Sequence, residues 1–580
     1  MEQLKGIMVS PGIAIGRAYV YAEQKYSIPR YDISADQVIY EAERFLDAVQ
    51  KAGAEIEALI KETSAAVGDG ENSFLNAHLL MLNDPEFHER VNENLKQNKQ
   101  NVEWILLKVA GEIAAKLDSL TDEYLRERGD DIYDVSQRII SQLLCIQKIS
   151  LADLDEESIV VAHNLLPSDA VTMNKQKVIG IATDVGGKTS HTAILARSFE
   201  IPAVLGLSNI TQYVQTGDEL IVDGTKGLVI VKPDKREIKK YYNTLAEWHK
   251  HELQLLNLNK LPAETRDGKM ISLEANIEIP EEVESVIAHG ADGIGLYRSE
   301  FLFIRPNRFP TEEEQFQAYR SVLESVKGKS VTIRTVDLGG DKVIPGFNGI
   351  NESNPILGWR AVRFCLSRPD IFKAQLRAML RSSVYGNLKI MFPMISGIEE
   401  LESILTLLEE TKDELKGRDV PFNNDIPVGI MIEVPSAAFT SDILARQVDF
   451  VSIGTNDLIQ YTIAVDRENE RIAYLYEPFH PAVLRLIKLI VDNCHEKGIP
   501  VGMCGEMAGD LNAAVILIGL GLDELSMSPI VIPEIKKIIR SITIAEAEEV
   551  VGTIMAMKSF REIDIYMKQW SGKHLDFISY

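Results

Sequence analysis

The stretch that decides the fold of the C-terminal half reads Phe450-Val451-Ser452-Ile453-Gly454-Thr455-Asn456-Asp457. A short apolar run ends in polar residues and continues into a helical pattern, and this rhythm recurs along the second half of the chain. The other apolar runs are residues 271–275, 293–296, 331–334, 388–392, 428–432, 501–504 and 524–527. Together these units predict a (β/α)8 TIM-type barrel with buried parallel strands, and a doubly wound open sheet is the alternative.

Ionisable side chains follow these runs, where the loops of a barrel converge. The candidates are Arg298, Arg334, Glu433, Asp457 and Cys504 at strand ends, with Arg360 and Arg467 in loops. Converging guanidiniums suit phosphate and carboxylate groups, so they indicate a small polyanionic substrate. Glu433 and Asp457 on neighbouring strands predict an incomplete Mg²⁺ site. The alternatives are salt-bridged loop carboxylates and, for Cys504, a small buried side chain.

A second stretch, Gly186-Gly187-Lys188-Thr189-Ser190-His191, places a histidine where two glycines end and a helical pattern begins. The free N–H groups and the dipole of a helix N-terminus favour an anion there. A neutral imidazole offers a lone pair for attack on phosphorus. The stretch therefore indicates that His191 is a phosphorylated nucleophile, and the alternative is a capping turn whose histidine merely packs.

Composition and charge limit the classes of function. The chain has 580 residues, too many for one hydrophobic core, and a formal net charge of -25. Such an acidic protein is repelled by nucleic acid and by anionic membranes, so neither is expected as its partner. Four widely spaced cysteines indicate reduced thiols. No apolar signal core or membrane-length apolar run is found, so we expect a cytoplasmic protein without membrane insertion.

The residue composition and the hydrophobic pattern change along the chain, and these changes predict a multidomain α/β protein. Residues 1–21 and 148–233 carry short β-branched runs and glycine turns, which predict one α/β domain. Residues 22–147 are charged and rich in helix formers, which predicts an inserted helical bundle. Residues 234–260 predict a linker helix, and residues 261–580 form the predicted barrel.

The segment around His191 and the stretch from Asp449 to Arg467 resemble the two signatures of the phosphoenolpyruvate-utilising enzymes. The resemblance covers nearly the whole chain. Pyruvate phosphate dikinase and phosphoenolpyruvate synthase place a large ATP-grasp domain before these signatures, whereas here the preceding residues look like a helical bundle. The domain order is therefore similar to that of the members that phosphorylate a protein. A dikinase-like enzyme and a non-catalytic metabolite sensor are the alternatives.

The resemblance implies a reaction and roles for individual residues. Phosphoenolpyruvate phosphorylates His191 and leaves as pyruvate, and a swivelling histidine domain passes the phosphoryl group to a histidine of the carrier HPr, the first step of sugar uptake. Glu433 and Asp457 would hold Mg²⁺, and Cys504 would protonate the enolate carbon. The residues implied in binding phosphoenolpyruvate are Arg298, Arg334, Lys342, Arg360, Asn456 and Arg467. The family also forms homodimers through the barrel.

In this family HPr docks on the helical insert. The residues predicted to form the docking strip are Phe74, His78, Leu80, Met81, Glu86 and Phe87. An acidic rim would suit a basic carrier, and the alternative is ordinary bundle core. One position departs from the family pattern, because many relatives carry a threonine where this chain has Ala170. This departure leaves open which side chain orients the imidazole of His191, and Thr189 and Thr172 are the candidate substitutes.

Overall fold

The structure is a computed structural model that describes most of the chain. The described residues are 2–21, 28–66, 78–79, 81–118, 123–144, 151, 154–165, 173–174, 177–187, 191–199, 201–256, 258–303, 308–339, 352, 354–467, 469 and 471–575. The chain divides into two compact units, Met1–Lys250 and His251–Tyr580, and each is described by itself. Among the described helices, none combines the length and the apolar character that crossing a membrane requires.

The first unit is built on an eight-stranded sheet with the order β1-β8-β7-β3-β4-β5-β6-β2. Its strands are β1 (Glu2–Lys5), β2 (Ile7–Ser10), β3 (Ile13–Tyr21), β4 (Ser158–Ala162), β5 (Val178–Thr183), β6 (Ala203–Leu205), β7 (Glu219–Asp223) and β8 (Leu228–Val231). The strands β3, β4, β5 and β6 pair in parallel. Because β3 and β4 are neighbours, the long helical segment between them is an insertion between two paired strands.

The inserted segment contains four long helices in its described part. These are α1 (Gln37–Ala66), α2 (Pro85–Asn98), α3 (Val102–Asp118) and α4 (Glu123–Leu144). Their apolar faces enclose one core that includes Phe45, Ile56, Val91, Leu95, Ile105, Val109 and Ile139. Arg44 on α1 contacts Glu41 at 2.7 Å and Glu103 on α3 at 2.6 Å, so an ion pair also joins two of the helices.

Three further helices follow in the chain: α5 (His191–Ser198), α6 (Ile210–Tyr213) and α7 (Lys235–Leu256). The first residues of α7 are capped by Asp234, whose Oδ1 accepts hydrogen bonds from two backbone N–H groups at 2.8 Å. Tyr241 of α7 is buried against Ile221 and Ile230 of the sheet. The beginning of α7 is therefore anchored to the sheet of the first unit.

The second unit contains a closed barrel of parallel strands. These are β9 (Ser272–Ile277), β10 (Gly293–Arg298), β11 (Ser330–Arg334), β12 (Asn387–Phe392), β13 (Val428–Ile432), β14 (Phe450–Ile453), β15 (Val501–Met503) and β16 (Glu524–Met527). Each strand pairs with the next one in the chain, and β16 pairs with β9. The predicted (β/α)8 barrel is confirmed and the alternative open sheet is wrong, because the last pairing closes the sheet on itself.

Helices cover the outside of the barrel. They are α8 (Val283–Ala288), α9 (Glu312–Ser325), α10 (Ala361–Ser367), α11 (Pro369–Ser382), α12 (Ile398–Gly417), α13 (Pro435–Phe439), α14 (Ser441–Leu444), α15 (Thr455–Ile463), α16 (Pro481–Glu496), α17 (Leu511–Leu520), α18 (Ile532–Ser541), α19 (Ile544–Ile554) and α20 (Phe560–His574). Local sequence sets several of their starts. Thr311 and Glu314 form a capping box at α9, and Asp510 caps α17 through two backbone N–H groups.

One layer of the barrel interior is polar. Ser330 Oγ donates to Oε1 of Glu274 at 2.7 Å, and Nζ of Lys389 lies 3.6 Å from Oε2 of Glu524. Burial raises the pKa of Glu274, and burial together with the neighbouring Glu274 raises the pKa of Glu524 to about 8, although Lys389 opposes the shift. The two carboxyl groups therefore retain a proton between them at neutral pH, and their remaining negative charge faces Lys389.

This layer predicts a pH-dependent stability. A carboxyl group whose pKa is higher in the folded than in the unfolded state stabilises the fold less as the pH rises from about 4.5 to 8. We expect Glu524→Gln, which needs no proton, to raise the midpoint of barrel unfolding by about 3–6 °C at pH 8 but by less than about 1 °C at pH 5. Differential scanning calorimetry from pH 5 to 9 measures both midpoints.

The exposed Glu402 on α12 offers a matched control, and Glu402→Gln should leave the midpoint unchanged at every pH. A difference between Glu524→Gln and the wild-type protein that stays constant from pH 5 to 8 would contradict the shared proton.

Candidate active site

The predicted site residues of the second unit lie at the carboxyl ends of the barrel strands. Arg298 ends β10, Arg334 ends β11, Glu433 follows β13, Cys504 follows β15, and Asp457 lies in the first turn of α15, which follows β14. Parallel strands of a barrel present their carboxyl ends on one face, which is why residues far apart in sequence meet there.

Arg360 is the most densely bonded of these side chains. Its Nε and one terminal nitrogen donate to the two carboxylate oxygens of Asp337 at 3.2 and 2.9 Å. The other terminal nitrogen donates to Asp457 at 3.1 Å and to the Tyr461 hydroxyl at 3.2 Å. Burial opposes the charge of Arg360, but Asp337 and Asp457 outweigh it and raise the pKa of Arg360. The guanidinium is thus fixed and charged.

Arg334 is buried beside Arg360. One terminal nitrogen donates to Oε1 of Glu300 at 3.0 Å and lies 3.7 Å from Asp337. The same oxygen of Glu300 accepts from the backbone N–H of Asp337 at 2.8 Å. Among the described residues, Nε of Arg334 is buried without a hydrogen-bond partner. Because an orphaned buried donor is unfavourable, this nitrogen indicates a place for an anionic ligand.

Glu433 is a buried carboxyl group next to these arginines. Its Oε1 accepts from the backbone N–H of Met394 at 2.6 Å. Burial and the neighbouring Asp457 and Asp337 raise the pKa of Glu433 to about 8, while Arg334 opposes the shift. The carboxyl group lacks enough positive charge around it, and a bound cation would supply that charge.

The whole cluster fits a divalent metal ion. Its carboxyl groups are Glu300, Asp337, Glu433 and Asp457, and its buried guanidiniums are Arg334 and Arg360. Two more acids than guanidiniums are present, and carboxylate oxygens are the ligands of hard divalent ions. Among the described side chains, no group of three or more acids, histidines or cysteines could hold a metal by itself. The donor set therefore fits an ion that is completed by substrate and water.

Cys504 is 2% exposed and packs with Leu296, Met391 and Met431. Burial raises the pKa of Cys504 to about 11, although the charge of Arg334 lowers it. At neutral pH the group is therefore a thiol that can give a proton, rather than a thiolate that attacks.

The other predicted binding residues lie outside the buried cluster. Arg298 is partly exposed and forms an ion pair with Glu278. The side chain of Arg467 is exposed, and its backbone N–H donates to Gln460 at 3.2 Å. Lys342 lies outside the described residues. The structure thus brings two of the four predicted arginines into one network and leaves the other two at its rim.

His191 is the first residue of α5, as the glycine-rich stretch predicted. Gly186 has a positive φ of 120° at the turn that precedes the helix. Thr192 Oγ1 donates to the backbone carbonyl of Leu165 at 3.1 Å, which ties the start of α5 to the segment after β4. Residues 170, 172 and 189, which bear on the orientation of the imidazole, lie outside the described residues, as does the His191 side chain.

Within the predicted docking strip, the structure contradicts a surface role for His78. His78 is fully buried, 3.9 Å from Asp134, and Phe87 is 9% exposed within the bundle core. Met81 is half-buried, whereas Leu80, the Glu86 side chain and Phe74 lie outside the described residues. A groove of about 230 Å³ nearby is lined by Met81, Asp84, Phe87, Arg90, Ile113, Ile132 and Val135. His78 is thus part of the interior, whereas Met81 and Phe87 of the predicted strip line this groove.

Sequence reasoning gave no role to Asp337, Glu300 and Tyr461. Each holds Arg334 or Arg360 in place. A signal was present for Asp337, because it lies three residues after Arg334 at the end of a buried strand. Buried arginines need acidic partners, so acids close to them in a barrel loop are candidates for that role.

Comparison with known proteins gives family matches over most of the chain. The models of the phosphoenolpyruvate-utilising enzymes match as an N-terminal domain at residues 5–128, a mobile domain at 154–227 and a phosphoenolpyruvate-binding domain at 252–544. The chain therefore belongs to the phosphoenolpyruvate-utilising enzymes.

Relatives that match over nearly their whole length show to which group within this family the chain belongs. The phosphoenolpyruvate-protein phosphotransferase of Haemophilus influenzae is 42% identical over 98% of this chain and 99% of its own. That of Bacillus subtilis is 42% identical over 98% of this chain and 100% of its own. A solution NMR structure of an Enzyme I protein is 43% identical over 42% of this chain and 99% of its own, with a TM-score of 0.37. Within its class, the chain belongs to the phosphoenolpyruvate-protein phosphotransferases.

The buried network predicts the effect of one substitution. Asp337→Asn removes the charge that fixes Arg360, so we expect kcat/KM for phosphoenolpyruvate to fall about 10²-fold. Steady-state pyruvate release measures the loss.

The control is Asp370→Asn, which removes a surface carboxylate bonded to Arg368 at 2.9 and 2.7 Å and should leave kcat/KM unchanged. Wild-type kcat/KM in a folded Asp337→Asn protein would show that Arg360 does not depend on this acid.

Proposed function

We propose that this chain transfers the phosphoryl group of phosphoenolpyruvate to His191, releases pyruvate, and passes the phosphoryl group to a histidine of HPr. This is the first step of phosphoenolpyruvate-dependent sugar uptake. The observation that carries the proposal is the buried pair Arg334 and Arg360, fixed by acids beside Glu433 and Asp457. Such a preorganised cluster of opposite charges suits an anion that arrives with a cation.

In this proposal the arginines bind the phosphate and carboxylate of phosphoenolpyruvate. Arg334 supplies the buried Nε donor described above, and Arg360 supplies fixed positive charge. In the proposal, the partly exposed Arg298 and the exposed Arg467 contact the substrate from the edge of the cluster, and Asn456 and Lys342 are assigned to the same substrate. These positive charges stabilise the phosphoryl group during its transfer to His191 and the enolate that remains after it.

Glu433 and Asp457 are the residues that would hold a divalent ion, which we take to be Mg²⁺ because both donate carboxylate oxygens. When bound, the ion supplies charge stabilisation to the substrate. The Cys504 thiol then protonates the carbon of the enolate, and its raised pKa keeps that proton available at neutral pH.

Transfer to a second protein requires His191 to reach two partners. The match of residues 154–227 to a model described as a mobile domain supports such a change of partner. The groove at Met81, Asp84 and Phe87 on the helical insert is the surface we assign to HPr, so Met81 and Phe87 of the predicted strip are kept and the buried His78 is left out. We further propose a cytoplasmic homodimer that associates through the barrel.

The phosphorylation site is tested directly. We expect phosphoenolpyruvate carrying ³²P to label the wild-type protein in the presence of Mg²⁺ and the label to move to HPr, whereas His191→Gln should take up no label. His163→Gln, at an exposed histidine that follows β4, is the matched control and should be labelled normally. Relay of label to HPr by His191→Gln would overturn the proposal. Labelling by ATP instead of phosphoenolpyruvate would favour a dikinase.

The role of Cys504 predicts a separation of two steps. In Cys504→Ser, phosphorylation of His191 should stay within a few-fold of the wild-type rate, because the proton is needed only after phosphorus has moved. Exchange of the pyruvate methyl protons with D2O should fall about 10²-fold. Proton NMR of pyruvate measures this exchange.

Cys494→Ser, at a buried cysteine of α16, should leave the exchange unchanged. If Cys504→Ser exchanged the methyl protons of pyruvate at the wild-type rate, the proton donor would be a group other than Cys504.

A further inference from the structure

Asn456 is held by the loop that follows β15. Its Nδ2 donates to Oε1 of Glu506 at 3.1 Å, and its Oδ1 accepts from the backbone N–H of Glu506 at 3.1 Å. The hydroxyl of Tyr476 donates to the backbone carbonyl of Asn456 at 3.2 Å. Side chain and main chain of Asn456 are therefore both fixed, and one residue, Glu506, accounts for both bonds to the amide.

The two bonds to Glu506 determine which way the amide of Asn456 points. A backbone N–H only donates and a carboxylate only accepts, so the amide oxygen must face the former and the amide nitrogen the latter. In the opposite orientation the amide nitrogen would face the backbone N–H of Glu506 and the amide oxygen would face its carboxylate, and neither contact would be a hydrogen bond. Nδ2 carries two hydrogens, and the bond to Glu506 uses one of them. The other can donate a hydrogen bond to a bound ligand.

The approach of the two loops depends on Gly505. A Cβ at this position would lie 1.8 Å from Oγ1 of Thr455 and 2.7 Å from its backbone nitrogen. No side chain fits there, and the main chain after β15 therefore packs directly on the first turn of α15. This packing brings the backbone N–H of Glu506 within reach of Asn456 and sets both next to Asp457.

We propose that Glu506 is a positioning residue that acts on phosphoenolpyruvate through Asn456. The inference rests on the proposed function, in which Asn456 contacts the substrate. Glu506 is exposed and negatively charged, so it does not bind an anion itself. By accepting from Nδ2 and donating to Oδ1, it holds the amide in the orientation that donates to an anionic oxygen of the substrate.

The experiment compares four full-length variants: Glu506→Ala, Glu506→Gln, Asn456→Ala and the double alanine variant. We expect Glu506→Ala to raise KM for phosphoenolpyruvate about tenfold with a smaller change in kcat, because one charge-assisted hydrogen bond to the amide is lost. Glu506→Gln should restore a KM within about twofold of wild type, since its carbonyl oxygen accepts the same bond.

The double variant separates positioning from a merely structural role. If Glu506 acts through Asn456, adding Glu506→Ala to Asn456→Ala should raise KM by less than about twofold. Equal effects in both backgrounds, an unchanged KM in Glu506→Ala, or a glutamine variant as impaired as the alanine variant would each overturn the inference. Failure of the proposed function itself is distinguishable, because then the wild-type protein would release no pyruvate from phosphoenolpyruvate.

Discussion

The geometry of the barrel face depends on the bidentate contact between Arg360 and Asp337. A guanidinium buried this deeply is stable only if carboxylates satisfy its donors, and Asp337 satisfies two of them. The remaining terminal nitrogen donates to Asp457 and Tyr461, and Asp337 also lies 3.7 Å from Arg334. Arg360, held by Asp337, therefore connects the loop after β11 with Asp457 after β14. In the proposed function, these charges are in place before the substrate arrives, which reduces the reorganisation that the reaction requires.

Sequence patterns predicted the barrel and the placement of its polar residues for a simple reason. A buried parallel strand must be apolar along its length, and the first polar residues after it fall on one face of the barrel. Arg334, Glu433 and Asp457 were located in this way, and all three lie at strand ends or in the first turn of the next helix. The start of a helix at His191 followed from the same kind of local rule, a glycine turn before a helical pattern.

The pairing of side chains could not be predicted in the same way. The sequence did not distinguish the four arginines from one another. In the structure, Arg334 and Arg360 are buried and paired with carboxylates. Arg298 and Arg467 lie at the edge of this cluster and are at least partly exposed. Which acid an arginine contacts is decided by loops that are distant in sequence. His78 illustrates the same limit in the helical insert. Helical spacing indicates which residues share a face, but not which face another helix covers.

The burial of Cys504 affects how readily peroxides oxidise its thiol. Peroxides react with the ionised form of sulfur, and both the enclosure of this group among Leu296, Met391 and Met431 and its raised pKa keep that form scarce. We therefore expect hydrogen peroxide to convert the resting Cys504 thiol to sulfenic acid only slowly. In the proposed function, protonation of the enolate would therefore continue in the presence of hydrogen peroxide while more acidic thiols elsewhere are oxidised.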